Sequence, residues 1–144
     1  MIPVFVDTAA WIALINVRDA LHVRAQSVYD GLVQQRVPLV TSDFVLLEVA
    51  DALGAPFLRP YTIAFINRLR RDVVEIVPLS EELMRKGWSL YSQRADKEWG
   101  LTDCTSFVIM LCNHARSRHR GSIYIRSPFR TSRLSAFAVK GNGR

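Results

Sequence analysis

Acidic residues run out before the chain does. Residues 111–144 contain no Asp or Glu against eight Lys and Arg, whereas residues 1–110 hold 11 basic and 13 acidic residues. The net charge of +6 is therefore −2 for the body plus +8 for the tail. The basic character belongs to the tail, and it gives no reason to read the body as a nucleic-acid surface. Cysteine is nearly absent too. Cys104 and Cys112 fall in or beside one predicted helix without metal-ligand spacing. That excludes a disulfide scaffold and reads as two buried free thiols in a cytoplasmic protein. No apolar run is long and uncharged enough to span a bilayer, so no membrane association is expected. The N-terminus lacks a basic lead and is interrupted by Asp7, which argues against a signal peptide. Glycine (7) and proline (6) are modest and hydrophobic content is 49%, which excludes a disordered chain. The length suits one domain with a proper core.

What is present is an alternation of strands and helices. Residues 2–6 read as a strand, 8–17 as a helix, and 21–35 as a helix striped by Val23, Ala25, Val28, Tyr29 and Leu32. Residues 38–40 form a short strand. Thr41, Ser42 and Asp43 cap a helix to residue 53, which Gly54 and Pro56 end. Residues 60–71 are helical with a basic outer face at Arg68, Arg70 and Arg71, and 73–77 is a strand by its β-branched content. A helix over 81–94, a loop carrying Asp96 and a helix over 102–112 follow. Such alternation implies an α/β fold with a mainly parallel sheet covered by helices. After Met110 no apolar periodicity remains, which divides the chain into a body, 1–110, and an atypical basic tail, 111–144. Only 123–125 looks strand-like where the sheet expects another strand.

Four carboxylates carry the chemistry. The run Asp96-Lys97-Glu98-Trp99-Gly100-Leu101-Thr102-Asp103-Cys104-Thr105-Ser106-Phe107 enters an apolar helix, which places Thr102 and Asp103 in its first turn. There the backbone N–H groups and the helix dipole favour an anion, so a plain cap is one reading. Asp7 closes the first strand and opens the next helix, at the sheet edge where open α/β folds bind ligands. Glu48 shares a helix side with Phe44, Val45 and Ala52. A carboxylate on an apolar face must be paired, protonated or metal-bound, the alternative being a solvated glutamate at the edge of that face. Asp51 reads as solvent-facing. Asp7, Glu48 and Asp103, with Asp96 nearby, would repel one another unless a cation neutralised them. Oxygen-only ligands suit Mg²⁺ or Mn²⁺ rather than zinc. Such ions activate water for in-line attack on a phosphodiester. Trp11 and Trp99 read as packing residues, and Cys112, His114 and His119 do not have zinc-site spacing.

Three segments, V-F-V-D-T-A-A-W, T-S-D-F-V-L-L-E-V-A-D-A-L and D-K-E-W-G-L-T-D-C-T-S-F-V-I-M, closely resemble the PIN-domain ribonucleases of the VapC-toxin type, in order across residues 1–110. The resemblance implies a three-layer α/β/α fold and a Mg²⁺-dependent endoribonuclease acting on RNA. It matches Asp7 and Asp103 to the family's metal-binding aspartates, Glu48 to the acid on its third helix, and Asp96 to an acidic position in the same motif. Toxins of this type are paired with a small antitoxin that blocks the site, and they commonly dimerise. The alternative is a degenerate, non-catalytic module that binds RNA or antitoxin, its basic tail attracting phosphate in a salt-dependent way.

The family ending, of the kind G-I-x-E-A-x-T-x-D-x-H-F-x-Q-A-G-F, is missing here. Codons permitted for I-R-S-P-F-R-T-S-R-L-S at 125–135, read one nucleotide later, can spell F-D-H-H-F-E-Q-A-G-F-R. Those for 118–124 can likewise spell G-I-A-E-A-F-T. The tail is therefore expected to be a frame-shifted remnant of the last strand and loop. The last strand would be missing or altered, a sheet edge unpaired, one site carboxylate lost and the nuclease impaired.

Overall fold

The computed structural model describes residues 3–72 and 74–117. Among these, three strands, β1 (Val4–Phe5), β2 (Leu39–Ser42) and β3 (Val74–Val77), form a parallel sheet in the order β1-β2-β3. Val4 pairs with Leu39 and Phe5 with Val40, while Leu39 through Ser42 pair with Val74 through Val77. Parallel neighbours need crossover connections. α1 (Thr8–Ile15) and α2 (His22–Gln34) supply the first, and α3 (Asp43–Ala52) and α4 (Arg59–Leu69) the second. α5 (Glu81–Gln93) and α6 (Leu101–Ser117) complete a three-layer α/β/α domain. Because the strands run the same way, the residues that follow β1 and β2 emerge at one edge. That edge carries Asp7 and the start of α3.

β2 is buried along its whole length, as a central strand should be. Beneath it lies Trp11, with 0% exposure. Its indole N–H donates to Thr41 Oγ1 at 3.0 Å, and the Thr41 hydroxyl donates to the Val6 carbonyl at 2.9 Å. Tyr29 and Phe65 meet the indole edge-on at 6.1 and 5.5 Å. The bridge fixes α1 to both β1 and β2 and satisfies the buried indole donor.

The helix ends follow local chemistry. Ser42 caps α3 by accepting from the Val45 N–H, and Ser80 caps α5 by accepting from the Leu83 N–H. α2 closes with the Val37 N–H bonded to the Leu32 carbonyl and the Arg36 N–H to the Val33 carbonyl. That is a Schellman closure with Arg36 at φ 53°, a backbone region that glycine fills without cost.

Several sequence expectations are corrected. Val23 is 80% exposed, because it lies two positions from buried Ala25 and so points away from the α2 stripe. Cys104 is buried but Cys112 is exposed. The basic outer face of α4 is exposed as expected, with Arg68 and Arg70 also ion-paired, to Asp72 at 3.2 Å and Asp43 at 3.0 Å. α6 does not stop near Cys112 but runs to Ser117. Once nucleated, a helix propagates through residues such as Ala115 and Arg116 without an apolar stripe. The expected boundary at residue 110 thus falls inside α6. Residues 118–144, where the altered strand and shifted frame were expected, lie outside the described residues. Among the described residues β1 pairs only with β2.

α5 packs along α6 more extensively than any other pair of elements. The closest approach is at Gly87, where an added Cβ would lie 2.6 Å from Thr105 Cγ2 and 3.4 Å from its backbone nitrogen. A side chain at this position would hold the helices apart.

Candidate active site

Asp7 is the N-cap of α1, its extended backbone (φ −89°, ψ 176°) letting Oδ1 accept from the Ala10 N–H at 3.0 Å. Asp103 lies in the first turn of α6, where Oδ2 accepts from the Gly100 N–H at 2.9 Å. Since α6 starts at Leu101, this is the reciprocal half of a capping box. Both acids sit where unpaired helix N–H groups stabilise negative charge.

Glu48 is on α3 and accepts a hydrogen bond from the Thr8 hydroxyl. It is exposed rather than set in a buried face. The buried stripe of α3 is Val45, Leu46 and Val49, so Glu48, three positions from Val45, comes out at its rim. The solvated-edge reading is the one the structure bears out for its burial.

These three side chains, from three different helices, line one cavity of about 390 Å³. Thr8, Thr102 and Ser106 add hydroxyls to the lining, and Phe5, Ile12, Val45, Phe107 and Met110 make it apolar elsewhere. The Ser106 hydroxyl is turned back onto the Thr102 carbonyl at 2.9 Å, as is that of buried Thr105 at 2.8 Å. Carboxylates set against an apolar wall suit a ligand that carries both charge and flat apolar surface.

Asp96 is placed elsewhere. It lies on the α5–α6 connection, exposed and outside the cavity lining. Both its oxygens meet the Arg94 guanidinium, at 2.9 and 3.1 Å, and Lys97 Nζ stands 3.6 Å away. The hydrogen bonds from Arg94 hold its carboxyl at about 2, well below the usual carboxylate range. Of the four acids expected to gather, three share the cavity and Asp96 is held in an ion pair.

Among the described residues no three His, Cys, Asp or Glu side chains form a group able to hold a metal ion as they stand. The donor chemistry fits a hard divalent cation, since the charged groups of the cavity are all carboxylates. The side-chain directions are a different matter. Asp7 turns to the Ala10 N–H, Asp103 to the Gly100 N–H and Glu48 to the Thr8 hydroxyl.

Two contributors escaped the sequence reading. Thr8 follows Asp7 directly at a helix start, where its hydroxyl reaches a neighbouring helix, and that adjacency was the available signal. Phe107 has no such signal, since an apolar residue on a helix reads as core.

The PIN domain family model matches residues 4–116. The 23S rRNA-specific endonuclease VapC20 of Mycobacterium tuberculosis, from strains CDC 1551 / Oshkosh and ATCC 25618 / H37Rv alike, is 29% identical over 108 residues. Those residues are 74% of this chain and 79% of the relative. The crystal structure of M. tuberculosis VapC20, described as a Sarcin-Ricin loop cleaving toxin, matches with a TM-score of 0.67 at 27% identity. The match covers 77% of this chain and 83% of that one. The chain belongs to the PIN-domain family and is related to the VapC-type endonuclease toxins.

Proposed function

We propose that the chain is a toxin-type endoribonuclease that hydrolyses RNA phosphodiesters with a divalent cation, Mg²⁺ or Mn²⁺. The observation that carries this reading is the convergence of Asp7, Glu48 and Asp103, from α1, α3 and α6, on one cavity. These three would hold the ion, and the ion would supply an activated water and stabilise charge on the phosphate. Asp7 and Asp103 are held by backbone N–H groups at helix N-termini, and Thr8 orients Glu48 from one side. Kinship with a 23S rRNA-specific endonuclease supports RNA as the substrate class. A small antitoxin that covers the cavity, a homodimeric state and a cytoplasmic location complete the proposal.

The test is cleavage of RNA with Mg²⁺ or Mn²⁺, abolished by chelation. Asp7→Asn or Asp103→Asn should lower the rate about 100-fold or more, because each removes several kcal/mol of charge stabilisation. Asn caps a helix about as well as Asp, so at Asp7 the thermal midpoint should stay close to that of the parent. Metal-independent cleavage, or full activity in both variants, would overturn the reading.

The tail is proposed to be a frame-shifted ending and the enzyme to be impaired by it. Support comes from the second-frame spelling and from a family match that stops at residue 116. Sequencing the encoding DNA decides the first point, and a cleavage rate equal to that of a restored-frame version refutes the second. The competing reading, a non-catalytic module that binds through its basic tail, rests on the eight basic residues and absent acids of 111–144. It requires that truncation after Met110, which removes all eight, abolish RNA binding.

A further inference from the structure

We infer that Asp96 is a positioning residue for the cavity wall, acting through Arg94 and Trp99 on Phe107. The inference rests on the nuclease reading above and extends it to how the wall beside the carboxylates is held. Asp96 meets Arg94 through both oxygens, Nε at 2.9 Å and a terminal nitrogen at 3.1 Å. A two-point pair of this kind fixes the guanidinium plane as well as its position. The guanidinium carbon lies 5.1 Å from the Trp99 ring centroid, within cation–π range. Trp99 in turn meets Phe107 edge-on, with centroids 4.9 Å apart and planes at 69°. Phe107 lines the cavity and lies one helical turn after Asp103, on the same side of α6.

The chain of contacts therefore runs from an exposed ion pair to a wall residue beside a site carboxylate. It also braces the α5–α6 connection where that segment enters the first turn of α6. Removing the Asp96 charge loosens the Arg94 guanidinium over the indole, and with it one restraint that holds Trp99 against Phe107. The substrate then meets a looser wall, which raises KM. The carboxylates that would take the cation are untouched. A residue that ligated the cation would give a different signature, a shift in the metal concentration needed for half-maximal rate.

The experiment measures RNA cleavage kinetics and Mg²⁺ titrations for the parent chain, Asp96→Asn, Asp96→Glu, Arg94→Gln and the Asn/Gln double variant. Asp96→Asn should raise KM about three- to fivefold, the scale of one exposed cation–π contact, with kcat and the Mg²⁺ midpoint unchanged. Asp96→Glu keeps the ion pair and should restore KM, and the double variant should be no worse than either single. A shifted Mg²⁺ midpoint, an unchanged KM, or a Glu variant as impaired as the Asn variant overturns the inference. A parent chain that cuts no RNA sinks the nuclease reading instead. The relay is then read by NMR. Asp96→Asn should move the Trp99 indole and Phe107 ring resonances, and their staying fixed overturns the inference on its own.

Discussion

Gly87→Ala should destabilise the chain even though alanine is the better helix former. The propensity gain is about 1 kcal/mol. Against it stands Thr105 Cγ2, only 2.6 Å from where the new Cβ must go. That methyl has nowhere to swing. Thr105 is fully buried, β-branched and tied by its hydroxyl to the Thr102 carbonyl at 2.8 Å. Overpacking of this kind costs about 1–3 kcal/mol, which leaves a net loss of about 1 kcal/mol and a few degrees in Tm. Thr105→Ser removes the obstructing methyl and keeps the hydroxyl bond, at a cost of about 1 kcal/mol by itself. In the double variant the alanine methyl occupies the vacated space. Urea denaturation should therefore show the pair more stable than the sum of the singles by about 1–2 kcal/mol. Additivity within about 0.5 kcal/mol, the behaviour of independent sites, would refute the argument, as would a Gly87→Ala chain with a raised Tm. Activity offers a second readout. Thr105 is two residues past Asp103, so a displaced α6 carries that carboxylate with it, and the double variant should regain cleavage together with stability.

Thr41→Val should cost about 1–3 kcal/mol by denaturant titration, because it leaves the buried Trp11 N–H without its acceptor; a neutral result would refute the bridge. Arg36→Gly should stabilise by about 1 kcal/mol, since φ 53° is strained for an L side chain, and a lowered urea midpoint would contradict this. For Asp96 the folded carboxyl titrates at about 2, below its ordinary 3.8, so its ion-pair contribution is complete above that ordinary value and is lost as pH falls through 2. NMR titration of the Asp96 carboxyl checks this, and a midpoint near 3.8 would exclude the Arg94 pair in solution.

Legibility in the sequence follows the range of the interactions. The strand–helix order, the Ser42 cap and the first-turn position of Asp103 were readable because caps and apolar periodicity are written within a few residues. The convergence of Asp7, Glu48 and Asp103 was readable only in part. Parallel strand direction puts Asp7 and the α3 start at one edge, but the exposure of Glu48 depends on how α3 is rolled against the sheet. The ion pair of Asp96 was hidden for the opposite reason. Arg94 is two residues away, yet nothing local says whether that arginine turns to solvent or onto Trp99. The end of α6 was misjudged because helix propagation needs no apolar face. Gly87 carried no flag, since its importance lies in Thr105 on another helix.

Two of the three cavity acids do a second job: Asp7 starts α1 and Asp103 closes back on Gly100 at the start of α6. Selection for folding alone would hold a capping side chain at both positions, because an alanine at either would fray a helix. Glu48 begins no helix, and its side chain stands in solvent. Of the three cavity acids, the α3 glutamate is therefore the one that the helix ends do not require.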